Sequence, residues 1–263
     1  MTRHLLRLAL LLSVAQCWSA AMATPPDLRG IGYTQRTGNT LPARVLLRNE
    51  QGAPVHLADV AAGKPLILVL GYFRCPNLCG VIRADLFHAL ERTDLVGGRD
   101  YEFVSVSIDP AESPRDAAAT KAEEIARFPA GGANTGWHYF TGQSADIRAI
   151  ADAVGFSDRF DAQEKQFLHP AGVVFVTPGG VISSYLLGVG YSPSDVRLAV
   201  TRATRGTVQA AVLPVLLLCY DYDETTGRYT LAIMNLVRLV SVLTVLVLGV
   251  TLFLAFRRGK GPT

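Results

Sequence analysis

The apolar positions of this chain fall into two rhythms that follow one another. Residues 66–72, L-I-L-V-L-G-Y, form an unbroken apolar run, as a strand covered on both faces requires. Directly afterwards Ile82, Leu86, Ala89 and Leu90 recur at helical spacing, which predicts a helix over residues 79–92. Residues 101–107 return to a strand pattern. Ser113 followed by Pro114 then has the N-cap and first-turn proline that open a helix, here running to about residue 128. The stretch 129–136, P-A-G-G-A-N-T-G, reads as a surface loop, 137–140 as a short strand and 144–154 as a helix. Residues 172–177 and 181–187 read as two strands joined by Pro178-Gly179-Gly180, and residues 192–205 as a closing helix that stops near Gly206. Ahead of all these, residues 44–47 and 55–57 flank the turn Asn49-Glu50-Gln51-Gly52 as a hairpin.

Strand, helix, strand, helix, then a hairpin and a last helix imply an α/β domain whose mixed sheet is flanked by helices, the order that a thioredoxin-like fold uses. The patterned region, from residue 24 to about 235, is long enough for one domain with a proper core, and it contains no repeat or low-complexity tract.

The two ends of the chain follow other patterns. Residues 1–23 carry Arg3 and Arg7, then the apolar stretch 8–14, then Ala21-Met22-Ala23, the small-x-small form of a signal peptidase site; this is the expected export signal. Near the other end residues 239–256 form an apolar run with no charged residue, and Arg257, Arg258 and Lys260 follow at once. A transmembrane helix over residues 236–256 is expected, with a cytoplasmic tail at 257–263 and the domain on the outside. The expected location is therefore a bacterial inner membrane crossed once, with the domain in the periplasm. The domain itself is expected at 24–205, followed by a membrane-proximal segment at 206–235.

Charge then changes one conclusion. The whole chain has 25 Lys+Arg against 22 Asp+Glu, a net +3. Five of the bases, Arg3, Arg7, Arg257, Arg258 and Lys260, lie in the terminal segments, and the chain without them stands at −2. Charge gives no support to a nucleic-acid partner.

The candidate chemistry sits in G-Y-F-R-C-P-N-L-C-G, residues 71–80, between the first long strand and its helix. Cys75 and Cys79 are four positions apart. If Cys79 opens the helix, both sulfurs lie near backbone N–H groups and the positive end of the helix dipole, which favours thiolate. Thiolate is the nucleophile of disulfide exchange and also a soft ligand for Cu(I), so the pair alone does not separate redox enzyme from metal carrier. A static disulfide would close only a tiny loop and stabilise little. Cys17 leaves with the signal, and Cys219 reads as a buried small residue or a resolving thiol. A third ligand for Cu(I) would naturally be imidazole. Four histidines remain after residue 23. His56 and His138 fall in strands and His88 late in the helix, whereas His169 immediately precedes a strand and is held toward extended geometry by Pro170. The residues themselves leave His169 open between structural and ligand roles.

Taken in order, Y-F-R-C-P-N-L-C (72–79), V-S-V-S-I-D-P (104–110) and H-P-A-G-V-V-F-V-T-P-G-G (169–180) resemble the Sco/SenC family of membrane-anchored, thioredoxin-like copper proteins. The resemblance covers residues 29–205. It implies a copper ion held by Cys75, Cys79 and His169. It also implies a role in assembling the CuA centre of cytochrome c oxidase, as copper donor, as thiol reductant or both, with the oxidase subunit carrying that centre as partner. Departures from the family pattern are Asn77 where an Asp is frequent, Gly80 where a Pro is frequent, and an anchor at the C-terminus instead of the N-terminus. The competing expectation is a periplasmic thiol-disulfide oxidoreductase, with Cys75 as nucleophile and Cys79 resolving. Its cysteines would be one residue further apart than in a catalytic thioredoxin.

Overall fold

The computed structural model describes residues 29–74, 79–163, 165–209, 222–223, 228–229, 240–241 and 244, of which residues 79, 222–223 and 228–229 are described by their backbone alone. Contacts divide the chain after Gly30. The first unit contributes only Arg29 and Gly30, in a turn; everything below concerns the second.

In chain order the elements are β1 (Gly32–Tyr33), β2 (Leu46–Arg48), β3 (Pro54–His56), α1 (Leu57–Ala61), β4 (Leu66–Gly71), α2 (Cys79–Glu91), β5 (Glu102–Ser107), α3 (Pro114–Arg127), α4 (Ala133–Gly136) and β6 (Trp137–Gly142). They continue with α5 (Ser144–Val154), β7 (Phe156–Ser157), β8 (Arg159–Asp161), β9 (Gln166–Leu168), β10 (Gly172–Val176), β11 (Ile182–Leu187), α6 (Pro193–Thr204), β12 (Tyr222–Asp223) and β13 (Arg228–Tyr229). Seven strands form one mixed sheet in the order β11-β10-β4-β5-β6-β2-β3. Its centre, β4, β5 and β6, is parallel, and the strands outside it run antiparallel to their neighbours. The expected α/β architecture, a mixed sheet flanked by helices, is what the chain forms.

β4 and β5 are buried at every position because both faces of the sheet are covered. Leu66, Leu68, Leu70, Val104 and Val106 face one side, where Ile147, Ile150, Ala151 and Val154 of α5 close the core. Ile67, Val69 and Phe103 face the other, against Ile82, Leu86, Phe87 and Leu90 of α2 and Val196, Ala199, Val200 and Ala203 of α6. Phe87 stacks on Trp137, with ring centroids 3.8 Å apart and planes 15° apart, and so fastens α2 across β6.

The capping signals hold. Asp116 accepts hydrogen bonds from the Ser113 N–H and hydroxyl, both at 2.7 Å, with Pro114 in the first turn of α3. Ser192 caps α6 by accepting the Asp195 N–H at 3.1 Å, and Pro193 occupies its first turn.

Three local expectations change. The first hairpin is shifted by a residue or two, to β2 and β3, and residue 57 begins the short helix α1. The small sheets β1–β7 and β8–β9 were not signalled, being only two or three residues a strand. Residues 129–136 are not a simple surface loop, because residues 133–136 form a helical turn in which Ala133 and Gly136 are buried. A Cβ on Gly132 or Gly136 would collide with the backbone of Gly97 and Gly98, so these glycines permit two chain segments to touch.

Within the expected membrane-proximal segment, β12 and β13 pair antiparallel, Tyr222 with Tyr229. The export signal and Cys219 lie outside the described residues, as does the expected span at 236–256 save for Val240, Ser241 and Thr244. Among the described residues no helix is long and apolar enough to cross a membrane.

Candidate functional site

Beyond the carboxyl end of β4 the chain must leave the sheet and reach α2, which starts at Cys79 as the sequence spacing requires. Such a place, outside the carboxyl ends of parallel strands, is where open α/β sheets put their ligands. Cys75 lies outside the described residues, and of Cys79 only its position as the first residue of α2 is described. What is described is how the chain enters and leaves the segment between them.

The approach to Cys75 is held by a buried carboxylate. Glu112 has a fully buried side chain and accepts hydrogen bonds from the Phe73 N–H at 2.8 Å, the Arg74 N–H at 2.6 Å and the Ser107 hydroxyl at 2.6 Å. The S-I-D-P segment builds this clasp. Ser107 ends β5, and its hydroxyl also accepts the Asp109 N–H at 3.1 Å. Asp109 accepts the Ala111 N–H through its side chain at 2.8 Å and the Glu112 N–H through its carbonyl at 3.1 Å, a tight turn that swings Glu112 back toward β4. Ile108 donates to the Gly71 carbonyl at 2.8 Å, which extends the β4–β5 pairing to the edge of the loop.

Arg74 is 57% exposed at its side chain and lies 3.7 Å from Glu112, 3.8 Å from Asp116 and 3.9 Å from Asp109. Hydrogen bonds from the Ser113 N–H and hydroxyl, aided by the Arg74 charge, hold the Asp116 carboxyl below the usual carboxylate range.

A second buried network holds the Phe73 ring. Arg83, one turn into α2 from Cys79 and almost wholly buried, donates through Nε to Glu124 at 2.7 Å. Tyr139 of β6 donates its hydroxyl to the other Glu124 oxygen at 2.5 Å. Burial first, and then the Glu124 charge, push the Tyr139 phenol well above its ordinary pKa, so it remains a donor. The Phe73 ring sits between them, 5.9 Å from the Arg83 guanidinium and 5.9 Å from the Tyr139 ring centroid.

The third predicted ligand arrives from the neighbouring strand. β10 runs antiparallel to β4, pairing Val176 with Leu66 and Val174 with Leu68. Carried on in the same step, that register brings residue 169 abreast of residue 73. The His169 ring indeed lies against Tyr72, centroids 5.9 Å apart, and against Phe156 at 6.0 Å. It is half-buried. Its Nδ1 is 3.0 Å from the Pro170 carbonyl oxygen. A carbonyl only accepts, so Nδ1 is the donating nitrogen of this contact. A metal-binding imidazole is commonly held in this way, by a second-sphere carbonyl on its other nitrogen.

The other histidines stand elsewhere. His138 contacts Glu102 at 3.0 Å, His88 lies beside Glu91 and Phe128 at the end of α2, and His56 precedes α1. Among the described residues no three His, Cys, Asp or Glu side chains converge as a metal site. The Cys75 and Cys79 side chains stand outside those residues, so of the predicted ligand set only the place of His169 is on view. Glu112 and the Arg83–Glu124 pair had no signal in the sequence beyond their nearness to the S-I-D-P and cysteine segments.

The SCO1/SenC family model matches residues 34–203, more than half of the 263-residue chain. Among solved structures, a protein of Aquifex aeolicus VF5 described as an electron transfer protein is 25% identical, with 65% of this chain and 96% of that one covered and a TM-score of 0.58. The fold is shared with an SCO1/SenC family lipoprotein of Bacillus anthracis str. Ames (18% identity, 66% and 98% covered, TM-score 0.51). It is shared equally with Arabidopsis thaliana ScoI with copper bound (18% identity, 65% and 99% covered, TM-score 0.50). No curated protein matches the sequence.

Proposed function

This chain belongs to the SCO1/SenC family, and on that premise we propose that it is a copper-binding assembly factor for the CuA centre of cytochrome c oxidase. Cys75 and Cys79 hold Cu(I) as thiolates, and His169 is the imidazole ligand through Nε2. Two soft sulfurs and one nitrogen suit Cu(I), which such ligands select over harder cations. The single observation that carries the reading is the His169 ring itself, placed against Tyr72 at the mouth of the cysteine segment with Nδ1 committed to the Pro170 carbonyl. Copper is also the metal bound in the ScoI structure that shares this fold. The export signal at 1–23 and the span at 236–256 support a site on the periplasmic face of the inner membrane, with the partner the oxidase subunit that carries the CuA centre.

The same reduced pair serves two steps. As donor, the thiolates and imidazole give up Cu(I) to the client's own thiolates. As reductant, one thiolate attacks a client disulfide and the displaced client thiolate takes up a proton. The second thiolate then displaces the remaining client sulfur, so the client gains two electrons and Cys75–Cys79 is left as a disulfide. An external thiol must reset the pair.

The test is competition for Cu(I) between the full chain in detergent and a chromogenic chelator, with and without His169→Ala. The expected result is one Cu(I) per chain, with affinity at least about 100-fold weaker in the variant, since loss of a ligand should exceed the 10–100-fold cost of losing a second-sphere partner. Unchanged affinity, together with rapid turnover of a model disulfide, would favour the oxidoreductase instead.

A further inference from the structure

We propose that Glu112 is a positioning residue for the cysteine pair: by fixing the peptide units of Phe73 and Arg74 it sets the direction in which the chain enters the segment that carries Cys75. The inference rests on the reading of Cys75 and Cys79 as the functional pair.

Four residues, 75–78, separate Arg74 from Cys79, and each flank of that segment is fastened to the sheet by a different device. On the far flank α2 is locked by Phe87 on Trp137 and by the Arg83–Glu124 pair. On the near flank the backbone is held by one side chain. The Glu112 carboxylate takes two successive backbone N–H groups, of Phe73 at 2.8 Å and Arg74 at 2.6 Å, and is itself steadied by the Ser107 hydroxyl at 2.6 Å. Charge-assisted bonds to a buried carboxylate are short and directional, so two on adjacent amides fix the orientation of both peptide planes.

A helix N-cap does not explain this arrangement. The cap of α3 is Ser113, served by Asp116, and the Glu112 oxygens accept instead from amides 38 and 39 positions earlier in the chain. An acid needed only for a salt bridge would not explain it either, since the nearest cation, Arg74, is 3.7 Å away and largely exposed. The carboxylate binds the backbone that leads into the cysteine segment. Disulfide closure and two-thiolate metal binding both depend on the separation and direction of the cysteine Cβ atoms, so the direction in which the chain leaves residue 74 bears on both.

The experiment uses the full chain in detergent with Glu112→Gln, which keeps the shape but replaces one accepting oxygen by an N–H₂ donor. Ser107→Ala, which removes only the bond that steadies the carboxylate, is the second variant. Two quantities are read beside the melting curve: Cu(I) affinity by chelator competition, and the dithiol–disulfide equilibrium in glutathione buffers.

Glu112→Gln is expected to weaken Cu(I) binding about tenfold and to move the dithiol–disulfide equilibrium by about tenfold, roughly 30 mV for this two-electron couple. Ser107→Ala is expected to move both in the same direction by about threefold, with an unchanged melting curve, following the weaker effect of an outer hydrogen bond. Folded Glu112→Gln with both quantities within about twofold of wild type would overturn the proposal. If Glu112→Gln does not fold, Ser107→Ala decides, and wild-type values there overturn it. A wild-type chain that takes up no Cu(I) contradicts the copper reading alone, because the glutathione equilibrium still reports whether Glu112 acts on the pair.

Discussion

Glu102 and Glu112 stand at opposite ends of β5, each with a buried carboxylate, and they are satisfied in different ways. Glu102, the first residue of the strand, accepts from Lys64 at 2.6 Å and contacts His138 Nε2 at 3.0 Å; both partners are side chains whose tips reach solvent. Glu112, just past the last residue, accepts from two backbone amides and a serine hydroxyl. A carboxylate bound to long side chains fastens the sheet and leaves the chain path unaffected. One bound to successive amides dictates the path of a loop. The amino end of the parallel strands therefore carries a structural cluster of charged and polar side chains, while the carboxyl end carries the held approach to residue 75, and the proposed site residues Cys75, Cys79 and His169 all belong to the second.

The largest effect expected from breaking this contrast comes from the network beneath the carboxyl end. Glu124→Ala leaves the Arg83 guanidinium buried without its counter-ion and the Tyr139 hydroxyl without its acceptor, and should cost about 3–5 kcal/mol in urea unfolding. At the amino end Glu102→Gln should cost less, about 1–3 kcal/mol, because Lys64 and His138 can turn to water. Cu(I) affinity in that variant should equal wild type; a loss would mean that the two ends are coupled and that the contrast is false.

The smallest effect is expected at Asp116. Its folded-state pKa is depressed, so its contribution is present above the ordinary carboxylate pKa and is lost as pH falls through the folded value. Asp116→Asn should lower stability by about 1 kcal/mol near neutrality, as for loss of a cap, and make the urea midpoint less sensitive to acid. An unaltered acid dependence would show that the Ser113 bonds do not hold this charge.

What could be read from the chain, and what could not, divides along the same lines. The runs at residues 66–72 and 101–107 announced the central strands because both faces are covered, and the proline after Ser113 announced α3 because its cap is local. Cys79 at the start of α2 and the approach of His169 to the same end of the sheet followed from spacing, from Pro170 and from family resemblance. The role of Glu112 was hidden, since an acid in D-P-A-E-S-P reads as a solvated turn residue. Its burial depends on amides contributed by residues 73 and 74 from across the β4–β5 pair. Gly132 and Gly136 were read as loop residues for a related reason: their requirement is contact with Gly97 and Gly98, which no local pattern expresses. The short strands β7 to β9 persist only through their partners, and two or three residues carry too little periodicity to be seen.

The proposed ligand set is tested most directly by copper K-edge X-ray absorption on the Cu(I)-loaded full chain and on its His169→Ala variant. A site of Cys75, Cys79 and His169 requires two sulfur scatterers and one nitrogen scatterer in the wild type, with the nitrogen lost in the variant. An all-sulfur shell in the wild type, or a nitrogen contribution that persists without His169, would contradict it.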